Sequence, residues 1–380
     1  MAGRRLEPRR AAGPSRQGLA AAALLLALSF GLVGLLLPLR HSVMAAPGST
    51  AVYDSHGLLL RLTLSTDEKY RLIEPLSAYP PGFLEAVLLK EDRLFFVHPG
   101  VNPLSVVKAA WHSLIRGDYR VGGSTITMQL ARLAGGYDSS RPLPKLRQMA
   151  EALGLELALT KDEILAAYCS RVPCGGNIEG FGAASLAYFH KPLERLSLSE
   201  RLLLASLPQR PSSLGGAAGL ALLLESRGRL FTAWLARHPE DGPARLEFSM
   251  PVELEPSLPF RAPHAVDSLL AAHPGQARID ATLDYGLELK LERLVSGYVE
   301  RKAPSGIKNA TALLVDTEGM RVLAEVGSAN FFDASLDGQV DGTRAKRSPG
   351  SALKPFLYAL AIDQGLIHPL SVLKDSHLHF

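Results

Sequence analysis

KEDRLFFVHPG, residues 90–100, sets two adjacent carboxylates, a histidine and a Pro-Gly turn among large apolar side chains. On a helix the side chains of Glu91 and Asp92 diverge by about 100°, so one can act on a ligand while the other holds structure. A glutamate beside Leu94, Phe95 and Phe96 is placed to have a raised pKa, the condition a general acid or base needs near neutral pH. Asp92 and His98 are equally suited to local hydrogen bonding, and a solvated helix end has the same composition.

Two further stretches carry polar chemistry. VGGSTITMQLARL, residues 121–133, joins a glycine pair to Ser124, Thr125 and Thr127 ahead of a helical pattern. Its backbone N–H groups and hydroxyls can meet an anionic oxygen, or they can simply cap a helix after a tight turn. RPLPKLRQMAE then adds Arg141, Lys145 and Arg147, a cationic run that also suits a wet helix face. Far downstream, SPGSALKP places Ser351 and Lys354 one helical turn apart, where a neutral lysine could take the serine proton.

Helices must position most of these groups. Residues 82–214 are helix-rich, with LSVVKAAWHSLIRG, LPKLRQMAEALGLELAL, KDEILAAYCS and LSLSERLLLASLP all apolar at three- and four-residue spacing. Thr160 with Glu163 gives one of them a capping-box start, and Ser197 or Ser199 opens another. AVYDSHGLLLRLTLS reads as a hairpin turning at residues 55–57, and TALLVDTEGMRVLAEVGS as one turning at 317–319. The proline-rich stretch beginning near residue 237 lacks helical period and reads as a connector. DYGLELKLERLVSGYVERK follows it as an amphipathic helix.

The N-terminus sets the compartment. Residues 17–39 carry no charge and are closed by Arg40, a length that spans a bilayer, which takes roughly 20 apolar residues. Arg4, Arg5, Arg9, Arg10 and Arg16 precede the run, so this flank stays cytoplasmic and the remainder lies across the membrane. The same arginines supply much of the net charge of +4, which therefore does not argue for a nucleic-acid partner. Cys169 and Cys174 stand close together, either as a constrained disulfide or as two small buried thiols, with no further ligands for zinc nearby.

Taken in order, residues 91–100, 123–129 and the Lys145 helix resemble the peptidoglycan glycosyltransferase domain of class A penicillin-binding proteins. The first motif of that family has the form E-D-x-x-F-x-x-H-x-G, and every fixed position is filled here. The resemblance covers about residues 52–214, and the GGNIEG form at 175–180 looks most like the 1C type. It implies a mainly α, lysozyme-like glycosyltransferase domain after a transmembrane helix. An α+β domain would follow, an incomplete transpeptidase of the serine β-lactamase-like fold. The expected organisation is a basic cytoplasmic tail at 1–17, an anchor at 18–39, the glycosyltransferase domain at 50–236, a linker at 237–285 and the incomplete transpeptidase domain at 286–380.

Such enzymes polymerise lipid II into glycan strands. The resemblance implies that Glu91 is the general base on the acceptor sugar hydroxyl, with inversion at the anomeric carbon. Asp92, His98, Gly123, Ser124, Thr125, Gln129, Arg141, Lys145 and Gln148 would bind substrate. It implies no organic cofactor and leaves room for a divalent cation such as Mg2+ at the donor phosphates. The partners would be lipid II, the growing glycan strand, the bacterial cytoplasmic (inner) membrane and other cell-wall synthesis proteins. Residues 101–121, with Trp111 and Tyr119, would dip toward the membrane as a mobile segment.

Three departures stand out. Where the family has a second glutamate three residues after the lysine, this chain has Gln148; Pro144 replaces the arginine before Lys145; and Tyr168-Cys169-Ser170 stands for the usual Tyr-Leu-Asn. An amide cannot carry a carboxylate's charge or ligate a cation as strongly. The surroundings of SPGSALKP resemble the opening of a penicillin-binding transpeptidase domain, with Ser351 as acylated nucleophile and Lys354 as its base. The sequence reaches Phe380 before the S-x-N and K-T-G motifs of that domain, so covalent penicillin binding is not expected. A non-catalytic scaffold of the cell-wall machinery, or a lysozyme-like hydrolase sharing the fold and the glutamate, would fit parts of the same pattern.

Overall fold

The computed structural model describes residues 37–104, 124–137, 142–209, 216–250, 252 and 254–373. Nearly all of the expected anchor, most of 101–121 with Trp111 and Tyr119, and the candidate residues Gly123 and Arg141 lie outside them. No described helix is long and apolar enough to cross a membrane. The chain forms two compact units, one running to Arg261 and taking in Leu269–Ala281, the other made of Ala262–Ser268 and the residues from Thr282 onward.

The first unit is mainly helical. After α1 (37–44), the expected hairpin forms from β1 (Ala51–Tyr53) and β2 (Leu59–Leu62), with Val52 opposite Arg61. Helix α2 (Pro81–Glu91) opens with proline at its first position, where the missing N–H costs nothing. It ends at Asp92, whose extended backbone leaves Glu91 as the last helical residue. Helix α3 (Ile126–Gly135) starts at Thr125, whose hydroxyl accepts from Met128 N, and stops at Gly136 with φ of 61°. Helices α4 (Pro142–Ala158) and α5 (Lys161–Arg171) follow, and the capping box of Thr160 and Glu163 at the start of α5 is fully formed.

Helix α6 (Phe181–Phe189) is buried on nearly every side, which explains a sequence with no polar stripe. Around it, Phe83 meets Phe181 edge-on at 5.0 Å between ring centres, and Tyr168 meets the same ring at 6.4 Å. Helix α7 (Leu198–Leu204) is capped by Ser197 with Glu200 and packs on α8 (Ala217–Leu235). A small sheet joins β3 (Tyr70–Arg71), β5 (Ile178–Glu179) and β4 (Pro173–Gly175).

The stretch 237–285, expected as a linker, is partly built into the fold. It includes helix α9 (Pro263–Ala272), and its strand β6 (Arg278–Asp280) pairs parallel with β1, Ile279 opposite Val52. A three-residue strand has too little alternation to be seen in sequence.

The second unit is built on α10 (Tyr285–Lys302), capped by Asp284, and on the expected hairpin β7 (Ala312–Asp316) and β8 (Arg321–Val326), with Leu313 opposite Glu325. A short 3-10 turn, Gly350–Leu353, leads into α11 (Lys354–Asp363).

Candidate active site

The end of α2 separates the acid pair. Asp92 is buried and its carboxylate accepts from His98 Nε2 at 2.9 and 3.0 Å and from Ile126 N, at the start of α3, at 3.1 Å. His98 Nδ1 accepts from Gly100 N at 3.2 Å, which fixes the tautomer with the proton on Nε2. Gly100 has φ of 87°, and a Cβ there would sit 2.8 Å from the Ala152 carbonyl oxygen, so no other residue fits. Thr125 Oγ1 donates to Gly100 O, and Lys161 Nζ donates to His98 O at 2.8 Å while lying over the Phe95 ring. Asp92, His98, Gly100 and Thr125 thus clamp the loop after α2 onto the start of α3.

Glu91 is left half-buried beside α3. Its Oε2 accepts from Gln129 Nε2 at 2.9 Å, and Gln129 Oε1 in turn accepts from the Tyr168 hydroxyl at 3.4 Å. The buried Tyr168 thereby orients the amide that orients the carboxylate. Of the apolar residues expected around Glu91, Phe95 is in the core, whereas Leu94 and Phe96 face solvent, as does the neighbouring Val97. The motif therefore divides into one ring that packs and a small apolar surface.

The cationic part of the site is also organised by α3. Lys145 Nζ donates to Ser124 Oγ at 2.6 Å and to Gln148 Oε1 at 2.9 Å. Gln148 is 1% exposed, and its Nε2 donates to the Met128 carbonyl. Burial pushes the Lys145 pKa down, and the charge of Arg132 pushes it further in the same direction. Arg132 is half-buried, stands three residues after Gln129 on the same face of α3, and forms no ion pair with a described residue. Its position shows only once α3 and α4 are packed together, so the sequence motifs did not single it out. Thr127 and Glu156 were also not anticipated; the Thr127 hydroxyl donates to Glu156 Oε1 at 2.6 Å, and Lys161 pairs with the same oxygen.

These residues do not fit a divalent cation beside Lys145. The Gln148 oxygen is held by Lys145, Glu151 accepts from Tyr137 and Arg147, and Glu156 is shared between Thr127 and Lys161. Elsewhere, His238, Glu240 and Asp241 bring ligand atoms together, but His238 bonds Glu85 and Glu240, and Asp241 accepts from Trp234 Nε1. Cys169 and Cys174 are free buried thiols, and burial raises the pKa of both.

Ser351 and Lys354 belong to the second unit. Both are exposed, and neither side chain makes a hydrogen bond to a described residue.

What the first unit brings together is a carboxylate held by an amide of α3, Arg132 on the same helix, and Lys145 of α4 bound to the Ser124 hydroxyl just ahead of α3. A base and anion-binding groups arranged about one helix suit the displacement of an anionic leaving group by a hydroxyl. Residues 58–229 match the family model described as Transglycosylase. Penicillin-binding protein 1C of Escherichia coli strain K12 is 42% identical over 303 residues, a match covering 78% of this chain and 38% of that protein. Penicillin-binding protein 1A of the same strain is 35% identical over 162 residues, covering 43% of this chain and 19% of that protein. Penicillin-binding protein 1A of Pseudomonas aeruginosa is 40% identical over 136 residues, covering 35% and 16%. The chain thus spans less than two fifths of the length of the relatives it matches here. The segment that builds the site thus matches the transglycosylase family model, and the chain is similar over most of its length to part of penicillin-binding protein 1C.

Proposed function

We propose that this chain is a peptidoglycan glycosyltransferase that polymerises lipid II in bacterial cell-wall synthesis, held at the cytoplasmic membrane by residues 18–39. The observation that carries this reading is the shared frame of the site: α3 holds Glu91 through Gln129 and accepts from Gln148 at Met128, while Lys145 donates to Gln148 and to Ser124 just ahead of α3. Glu91 takes the proton of the acceptor sugar hydroxyl as its oxygen bonds to the anomeric carbon of the donor. The bond from that carbon to the lipid pyrophosphate breaks on the opposite face, which inverts the centre. The departing negative charge is met by Lys145 and Arg132 and by the Ser124 hydroxyl. No step is assigned to a metal. The second unit is the opening of a transpeptidase-like domain, with Ser351 and Lys354 as its S-x-x-K pair.

The test is polymerisation of labelled lipid II by the detergent-solubilised chain beside Glu91→Gln. Loss of the base lowers the rate by about 10²–10⁴-fold. Polymer from Glu91→Gln at the parent rate would remove Glu91 from the mechanism, and loss of pre-formed glycan in place of growth would favour a hydrolase.

A further inference from the structure

We infer that Gln148 is a positioning residue whose buried, uncharged amide aims Lys145 at the phosphates of the leaving group, and that a carboxylate could not replace it here. The inference rests on the glycosyltransferase reading above. At 1% exposure Gln148 does not reach a substrate. Its oxygen faces a group that can only donate, Lys145 Nζ at 2.9 Å, and its nitrogen faces one that can only accept, the Met128 carbonyl at 2.5 Å. The amide orientation is therefore fixed by its partners, and both ends are satisfied.

Lys145 and Gln148 lie three residues apart on one face of α4, while Met128 belongs to α3. The amide thus ties the lysine of one helix to the backbone of the other. With Ser124 Oγ taking a second N–H, no described residue takes the third Lys145 N–H, which can meet an anion. A carboxylate at position 148 would lose the bond to Met128, set an oxygen against that carbonyl, and spend its charge on Lys145 in competition with the substrate. The amide instead leaves the charges of Lys145 and Arg132 uncancelled. The lowered Lys145 pKa fits this setting, since burial and a neighbouring cation cause it and no facing carboxylate reverses it.

The test is a double-mutant cycle on the full chain, read by calorimetric titration with inorganic pyrophosphate and by lipid II polymerisation. Gln148→Met keeps the side-chain length and removes both bonds; Gln148→Glu keeps the acceptor alone. Each weakens pyrophosphate binding by about tenfold, the size expected for lost bonds to a charged group. If Gln148 acts through Lys145, combining either change with Lys145→Met costs nothing beyond Lys145→Met alone. Additive losses, a Gln148→Glu protein that binds as tightly as the parent, or a parent that binds no pyrophosphate would each overturn the inference. Should Gln148→Met fail to fold, as judged by its thermal unfolding, the Gln148→Glu cycle decides. A parent with the non-additive cycle but no polymer upholds the inference and sinks the glycosyltransferase reading, while a polymerising parent with additive losses does the reverse.

Discussion

Glu91 and Asp92 are consecutive, yet the helix ends between them and sends them into different surroundings. Asp92 spends both oxygens inside the protein, on His98 and on the first N–H of α3, while the half-buried Glu91 is turned to the side of α3, where Gln129 donates to it. Replacing Asp92 with alanine leaves two buried donors without an acceptor, and each such orphan costs about 1–3 kcal/mol. Asp92→Ala is therefore expected to lose about 2–6 kcal/mol in urea unfolding, and the proposed polymerisation should fall as the loop after α2, and with it the helix end that carries Glu91, loosens. A loss below about 0.5 kcal/mol would mean the clamp is not holding that loop. The spacing of Glu91, Asp92, His98 and Gly100 was readable in the sequence because it is local. The Gln129 bond to Glu91 and the burial of Gln148 were not, because both come from helices brought together across more than fifteen positions. Asp92, His98 and Thr125 lie in a buried hydrogen-bonded clamp; for Asp92 and His98 local hydrogen bonding was one of the two roles their residue types left open, and only the packing of α3 against the end of α2 shows these bonds formed.

At the level of helices and strands, local signals carried most of the way. The capping box of α5, the start of α7 at Ser197, one of the two serines offered for it, and the turns of both hairpins are where residue type and spacing placed them, since each is settled within a few residues. The pairing of β6 with β1 joins residues more than 200 positions apart and leaves no local trace. The same limit applies to Glu288 on α10, which looks like an ordinary polar position and is buried against β8, accepting from Glu325 N at 2.7 Å. Burial pushes its pKa up to about 7, aided by the charges of Glu292 and Glu325; Asp341, Arg344 and His264 complete the ionisable surroundings of this cluster. Between about pH 4.5 and 7 the folded protein holds the Glu288 proton while the unfolded chain has lost it. Stability therefore falls as pH rises through that window and then levels, by up to about 3 kcal/mol. The groups held low, such as Asp280 and Asp316, act with the opposite sign at more acid pH, where stability grows as pH rises. Urea midpoints of the parent and Glu288→Gln at pH 5 and pH 7.5 separate the two. The parent should lose more than the variant, and equal losses would remove Glu288 as the cause.

For the molecule as a whole, the two units carry their chemistry in different states of assembly. The first surrounds Glu91 with partners that fix its direction, and its core includes Phe83, Tyr168 and Phe181 at full burial. The second presents its S-x-x-K pair on an open turn, ahead of a helix on which Phe356, Leu357, Tyr358 and Leu360 are exposed. A serine becomes an efficient nucleophile when a base sits at hydrogen-bond distance, and attack on a β-lactam also needs donors for the oxygen that becomes negative. Neither Ser351 nor Lys354 makes a hydrogen bond to a described residue, so no described base stands on the hydroxyl. The 380-residue chain should therefore take no stable label from fluorescent penicillin on a denaturing gel, while the proposed lipid II polymerisation is expected to be unchanged by the drug. A labelled band that disappears in Ser351→Ala would show that the second unit can assemble an acylation site from these residues. Penicillin-sensitive polymer growth would show instead that the two activities are coupled in this chain.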